Sequence, residues 1–302
     1  MDKQIVKSNH VVEASYRLTL NEQRLILLCI HKIKKGQKIT PDMGFNVLAT
    51  DLMDYFGTSS KNAYSDLKEV AEVLFNRFLT IYKPDPEEPK LESTRTRWIS
   101  AIDYIPTEGR LKLYFAPKVI PYISMLESGF TRYNLQYIAP MASVYGIRFY
   151  ELFKCWLMGD NHKIKTIDLD ELKALLDLDG QYTSIKDFKV YVLDRGLQDV
   201  NDHSDLVVSY ENKKTGRKVT GLVFSISAKS TNNTPAAPQT TKASDQAPKP
   251  TTAPHVVSDE VDRKEVLRSF AHALNASKLA NQPLENTVSE KELSRFKAYG
   301  LI

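Results

Sequence analysis

Cysteine is scarce in this chain: Cys29 and Cys155 are the only two in 302 residues, far apart and each inside an apolar stretch. With no second thiol nearby, neither belongs to a zinc-binding cluster or a disulfide framework, and two buried, reduced thiols in the cytoplasm are expected. Long apolar runs are missing as well. The longest, residues 25–30, falls far short of the roughly 20 residues that cross a bilayer, so no membrane association is expected. Residues 1–7 lack the apolar centre of a secretion signal. The 6 histidines, His10, His31, His162, His203, His255 and His272, are dispersed without a His-x-His or His-x-x-x-His pair. A metal-dependent DNA-nicking enzyme with a tyrosine nucleophile therefore lacks its ligands, despite 15 tyrosines. No G-x-x-x-x-G-K-[ST] loop is present to cradle ATP phosphates. Asp168, Asp170, Glu171 and Asp177 gather at the cap and exposed face of one helix, where the macrodipole accounts for them. Neither catalysis, nor a metal, nor a cofactor is expected. Charge of one sign is not in large excess either: 41 basic against 37 acidic residues leave +4, which permits a polyanionic partner without requiring one.

What is present is ordinary globular material, 42% hydrophobic and 26% charged, in a length that suggests two domains. The clearest compositional break is residues 229–257, rich in Ser, Thr, Asn, Ala and Lys with Pro235, Pro238, Pro248, Pro250 and Pro254; it reads as a disordered linker. A short helical tail, 258–302, follows, with Val261, Val266, Leu267, Phe270, Ala271 and Leu274 at helical spacing.

Before the linker one order of elements occurs twice. Thr19-Leu20-Asn21-Glu22 is a capping box opening a helix that is apolar nearly all round. A strand at 45–48 follows, then a helix capped by Thr50 and ended by Gly57, a turn at 58–60, and a second helix carrying Ala63, Leu67, Val70 and Leu74. Strands at 78–82, 94–104 and 110–115 close the unit. In the second unit Ser143 opens a helix, 163–167 is a strand, 168–177 a helix, and Ser184 opens a longer helix with Phe188, Val192, Leu193, Leu197 and Val200. A hairpin of 206–211 and 218–226, turning at 212–216, ends it. Helix, strand, helix, turn, helix, hairpin is a winged helix. The expectation is an α+β protein of two tandem winged helices, 1–135 and 136–228.

In such a unit the second helix of the helix-turn-helix lies in the major groove. The polar side of the 184–200 helix offers Ser184, Lys186, Lys189 and Arg195, and the hairpin turn gathers Lys213, Lys214, Arg217 and Lys218 on one loop. That pairing of a basic helix with a basic wing is the footprint of double-stranded DNA binding. The first unit carries a weaker version in Lys61, Asn62 and Lys68 at the start of its second helix, with Arg95 and Arg97 alternating on a strand.

The residues Lys7-Ser8-Asn9, Leu18-Thr19-Leu20-Asn21-Glu22-Gln23-Arg24-Leu25, Lys61-Asn62-Ala63-Tyr64, Thr96-Arg97-Trp98-Ile99, Phe130-Thr131-Arg132-Tyr133, Arg148-Phe149-Tyr150-Glu151-Leu152 and Asp187-Phe188-Lys189 are similar to initiator Rep proteins of theta-replicating, iteron-containing bacterial plasmids. The resemblance spans roughly residues 5–226. It implies a protein that binds origin iterons as a monomer, opens adjacent AT-rich DNA, and recruits the host initiator and replicative helicase. It also implies a homodimer, in equilibrium with the monomer, that acts on the protein's own promoter and limits copy number. The C-terminal winged helix would read bases and the N-terminal one would contact backbone and dimerise. The sequence departs from the family at Val190 and Tyr191, where basic residues are common, and at Arg195-Gly196, where Pro-Ala is common. Val190 is then a candidate for a thymine methyl, and Tyr191 for a phosphate or base. A winged-helix transcriptional repressor without initiator activity is the alternative; tandem direct repeats beside an AT-rich stretch near the gene distinguish the initiator.

Overall fold

Thr19 starts the first long helix by accepting from the Glu22 amide while the Glu22 carboxylate accepts from the Thr19 amide at 2.6 Å, the reciprocal cap expected of that tetrapeptide. In a computed structural model the chain is described over residues 4–229, apart from 35, 58–61 and 84–89. The tail and, apart from Lys229, the proposed linker lie outside the described residues, as does the turn at 58–60; Lys229 itself is tied to the second unit, donating to the carbonyls of Asn201 and Ser204.

The chain order is β1 (Gln4–Ser8), α1 (Asn9–Val12), α2 (Leu20–His31), β2 (Phe45–Leu48), α3 (Ala49–Phe56), α4 (Ala63–Phe75), β3 (Phe78–Tyr82), β4 (Ser93–Arg97), β5 (Ile99–Ile105), β6 (Arg110–Phe115) and β7 (Phe130–Asn134). The second unit continues with α5 (Val144–Leu157), β8 (His162–Asp168), α6 (Leu169–Leu175), α7 (Ile185–Phe188), a π-helical turn (Lys189–Asp194), α8 (Arg195–His203), β9 (Leu206–Thr215) and β10 (Lys218–Ala228). The two units share one sheet logic. The strand after the first long helix, β2 after α2 and β8 after α5, pairs antiparallel with the second strand of the wing, giving β2-β6-β5 in one and β8-β10-β9 in the other. Two tandem winged helices of α+β class result.

Several local expectations change. Leu48, not Thr50, is the N-cap of α3, because the Asp51 carboxylate accepts from the Leu48 amide and from Lys32 Nζ. The single strand expected at 94–104 is two strands in different sheets: β4 pairs with β3 and β5 with β6, and the chain turns between them at the buried Trp98. The pair β1–β7 is an additional two-stranded sheet, and the wing hairpin is longer than expected, with Gly216 (φ 61) and Arg217 its whole turn. Glycine at the first of two turn positions is what a II′ hairpin needs. Cys29 and Cys155 are buried free thiols, each pushed up to about 12 by desolvation.

Helix α5 joins the units, packing on α1 and β7 on one side and on α8 on the other. It carries two charges, Arg148 and Glu151, i and i+3 on its fully buried surface. Arg148 donates to the carbonyls of Val12 and Ala14 (3.1 Å each) from the first unit and of Leu175 (3.0 Å) from the second, with its guanidinium 3.8 Å from the Tyr16 ring centre. Glu151 accepts from Lys7 Nζ at 2.5 Å, from Tyr133 and from Tyr16. Trp156 Nε1 donates to Glu13 (3.0 Å) and Ser15 Oγ to the Ala174 carbonyl (2.6 Å), so residues 12–17 are latched to the second unit. Burial, opposed by Glu151, lowers the Lys7 ammonium from its ordinary value.

Burial also raises the phenols of Tyr16, Tyr133 and Tyr150 well above the ordinary value of 10. Unfolding returns them to about 10, so the stability they contribute is complete below pH 10 and is lost as pH rises toward their folded values. Chemical denaturation should show unchanged stability from these groups between pH 7 and 9 and a steep fall at pH 11. Smooth ionisation of all 15 tyrosines near pH 10 with the fold intact would contradict the buried cluster.

Candidate nucleic-acid interface

Ser184 opens the second helix of the helix-turn-helix in the second unit, its hydroxyl accepting from the Asp187 amide at 3.4 Å. From there to His203 the chain is helical, and Phe188, Val192, Leu193, Leu197 and Val200 face the core. Gly196 sits where the helix crosses α5; a Cβ there would lie 2.5 Å from Phe149 Cδ2. The opposite side presents Lys186, Val190, Tyr191, Asp194, Arg195 and Gln198 to solvent, with Val190 45% and Tyr191 52% exposed. That an exposed aromatic and an exposed β-branched residue sit at the middle of this face accords with a surface meant to be covered.

The helix is not uniform. Lys189–Asp194 forms a π-turn, with bonds to the fifth residue rather than the fourth. The sequence does not betray it, because the apolar positions 188, 192, 193, 197 and 200 satisfy an α-helix equally well. Lys189 is half-buried, its ammonium 5.3 Å from the Tyr210 ring centre on the wing strand β9. The helix end is tied to the same strand by Asn201, which donates to the Val208 carbonyl (2.9 Å) and accepts from its amide (2.7 Å).

The wing differs from the sequence expectation of a single basic loop. Lys213 and Lys214 are on β9, neighbours on a strand and so on opposite faces, and only Arg217 is in the turn. Lys213 is already paired with Asp168, 2.9 Å away, so that carboxylate serves the lysine and makes no cap bond on α6. Lys214, Arg217 and Lys218 are exposed at the tip. The extension moves the cations outward because Thr215 and Lys218 still pair.

In the first unit Asn62 is the N-cap of α4 and Lys68 lies within that helix, its ammonium 5.3 Å from the Tyr104 ring; Lys61 falls outside the described residues. Arg95 and Arg97 share one face of β4 and both stack on Phe78, at 4.8 and 5.1 Å. Arg97 also donates to the Phe75 carbonyl at 2.7 Å, which leaves Arg95 the freer of the two. Two units therefore each present a helix and a strand-borne basic group, the second more strongly. Among the described residues no His, Cys, Asp and Glu grouping suited to a metal ion occurs, and no helix is long and apolar enough to cross a membrane.

Sequence reasoning missed Tyr210 and Asp194, whose bond is described below, and the roles of Lys7, Arg148 and Glu151. The signal for the last was available: two opposite charges at i and i+3, flanked on both sides by large apolar residues of one helix, imply a buried pair.

Comparison with known proteins agrees with this architecture. Residues 4–154 match the model of a family described as "Initiator Replication protein, WH1", and residues 168–226 that of "Initiator Rep protein, WH2". A replication initiation protein of Escherichia coli is 26% identical over 234 residues, 74% of this chain and 69% of the relative. The PI protein of Escherichia coli is 26% identical over 242 residues, covering 69% of this chain and 77% of that protein. The crystal structure of the Pi initiator protein in complex with iteron DNA aligns with a TM-score of 0.63 at 24% identity, over 76% of this chain and 98% of that one, a likeness of fold.

Proposed function

The chain belongs to the family of initiator replication proteins built from two winged helices, and from that premise we propose that it initiates plasmid replication by binding iteron repeats at the origin. The observation that carries this reading is the solvent-facing row of the 184–203 helix beside a wing tip bearing Lys214, Arg217 and Lys218. Lys186, Val190, Tyr191 and Arg195 enter the major groove, with Ser184 at its edge, and Lys189, lying over Tyr210, supports the helix from behind; Val190 meets a thymine methyl and Tyr191 a base or phosphate. The wing cations, Lys213 included, hold the backbone. Lys61, Asn62, Lys68, Arg95 and Arg97 give the first unit its backbone contacts, and that unit also forms the homodimer that represses the protein's own promoter. The monomer opens adjacent AT-rich DNA and recruits the host initiator and replicative helicase in the cytoplasm, without chemistry of its own. Residues 1–135 and 136–228 divide these tasks, with 229–257 as linker and 258–302 as tail.

Footprinting of the purified chain on the DNA upstream of its own gene tests the reading: protection of tandem direct repeats is expected. Random protection, or a plasmid that replicates normally after disruption of the gene, would overturn it. Replacing Lys214 and Arg217 together by alanine should reduce the log–log salt slope of binding by about 2, since each phosphate contact contributes about 0.9. Lys213→Ala should change it less, because Asp168 holds that lysine. An unchanged slope in the double variant removes the wing from the interface.

A further inference from the structure

Tyr210 stands behind the reading helix, on β9, and touches it twice. Its hydroxyl donates to Asp194 Oδ1 at 2.9 Å, and its ring lies 5.3 Å from the Lys189 ammonium. These two residues are the first and last of the π-turn. In an α-helix five residues rotate a side chain by about 140°, so one tyrosine would not meet both. The π-turn, bonded to the fifth residue, returns position 194 toward the face of position 189 and brings both against β9. The ring is itself braced from below, 6.2 Å from the fully buried Phe224, its cross-strand partner. Burial, with the Asp194 hydrogen bond and charge, pushes the Tyr210 phenol up to about 12, so it remains a donor at neutral pH.

Between the two clamped ends the chain exposes Val190 and Tyr191. A widened turn is a soft place in a helix, and rotating it by one residue would send these side chains off the outward face. Asp194 is also a carboxylate on a surface otherwise suited to phosphate, and the tyrosine fixes it against the wing.

We propose that Tyr210 is a positioning residue for DNA recognition: by holding Asp194 and Lys189 it sets the rotation of the π-turn at which Val190 and Tyr191 meet the bases. It acts on discrimination between sequences rather than on general affinity for DNA. The proposal rests on the DNA-binding reading above.

The test uses the full chain and a duplex selected by the wild-type protein from a randomised pool, compared with a scrambled duplex of the same composition at one salt concentration. Tyr210→Phe removes the Asp194 bond and keeps the ring; it should lower the ratio of specific to scrambled affinity by about five- to tenfold, the most that restoring the order held by one such bond can cost, with scrambled-DNA affinity unchanged and the melting temperature lower by only a few degrees. Asp194→Ala, at an exposed position that leaves folding intact, should lower the ratio equally, and the double variant should be no worse than either single one. Tyr210→Leu, which also loses the ring, should fall further. A ratio that is unchanged, a parallel loss on both duplexes, or additive losses in the double variant overturns the positioning role. Failure of the wild-type chain to select any sequence overturns the DNA-reading function itself, and this inference with it.

Discussion

Replacing Glu151 by alanine should destabilise the protein by about 3–5 kcal/mol, the largest effect expected of any single substitution outside the apolar core. The carboxylate is fully buried and is the common acceptor for Lys7, Tyr133 and Tyr16, with Arg148 Nη1 3.6 Å away. Without it two cationic side chains remain inside the protein with less than their neutralising charge. Arg148 keeps its three carbonyl acceptors, so the heavier loss falls on Lys7, whose ammonium is already destabilised by burial. Because the cluster latches residues 12–17 to the second unit, loss of the carboxylate should also blunt the cooperativity between units. Denaturant titration reads both: a lower midpoint and a shallower or two-step transition are expected. A loss under about 1 kcal/mol would mean that the pair is as weak as an exposed one. Glu151→Gln, which keeps hydrogen bonding and removes charge, separates the two contributions.

The second large effect is expected at Gly196. An alanine there gains up to about 1 kcal/mol of helix propensity over glycine. Its Cβ, however, would sit 2.5 Å from Phe149 Cδ2, 2.9 Å from Cε2 and 3.2 Å from the backbone carbon of Tyr145. Phe149 is fully buried and stacked on Phe153 at 5.7 Å, so its ring has no room to yield, and the helix must move away from α5 instead. The contact wins over the propensity. A net loss of about 1–3 kcal/mol is expected from overpacking, together with a loss of specific DNA affinity, since the displaced element is the reading helix. A variant that is as stable as the wild type and binds with equal affinity would show that α5 and α8 do not pack as closely as described.

The two predictions bear on one relation. Helix α5 is the floor for the reading helix and also the anchor for the first unit, so a defect at Glu151 and one at Gly196 enter from opposite sides of the same helix. The first should act mainly on stability and the second on stability and binding together.

Much of the architecture was legible in the chain. The Thr19 capping box, the Ser143 and Ser184 caps and Gly57 at a left-handed helix end are local devices, complete within a few residues, and each does what its sequence implies. The order of apolar helices and short strands likewise pointed to two winged helices, and the sheets β2-β6-β5 and β8-β10-β9 have that arrangement. The outward row of the reading helix was readable for the same reason: once Phe188, Val192 and Leu197 are assigned to the core, Lys186, Val190, Tyr191 and Arg195 are left to solvent. Tertiary structure alone decided the rest. Whether Lys213 is free for a phosphate depended on Asp168, 45 residues earlier, and whether Lys189 points out or lies over a ring depended on Tyr210 across the wing. Lys7 is set against Glu151 only because β1 pairs with β7. Caps and periodicity are short-range and survive in the linear sequence. The partner of a charge is set by which distant element packs beside it, and that is known only when the chain has folded.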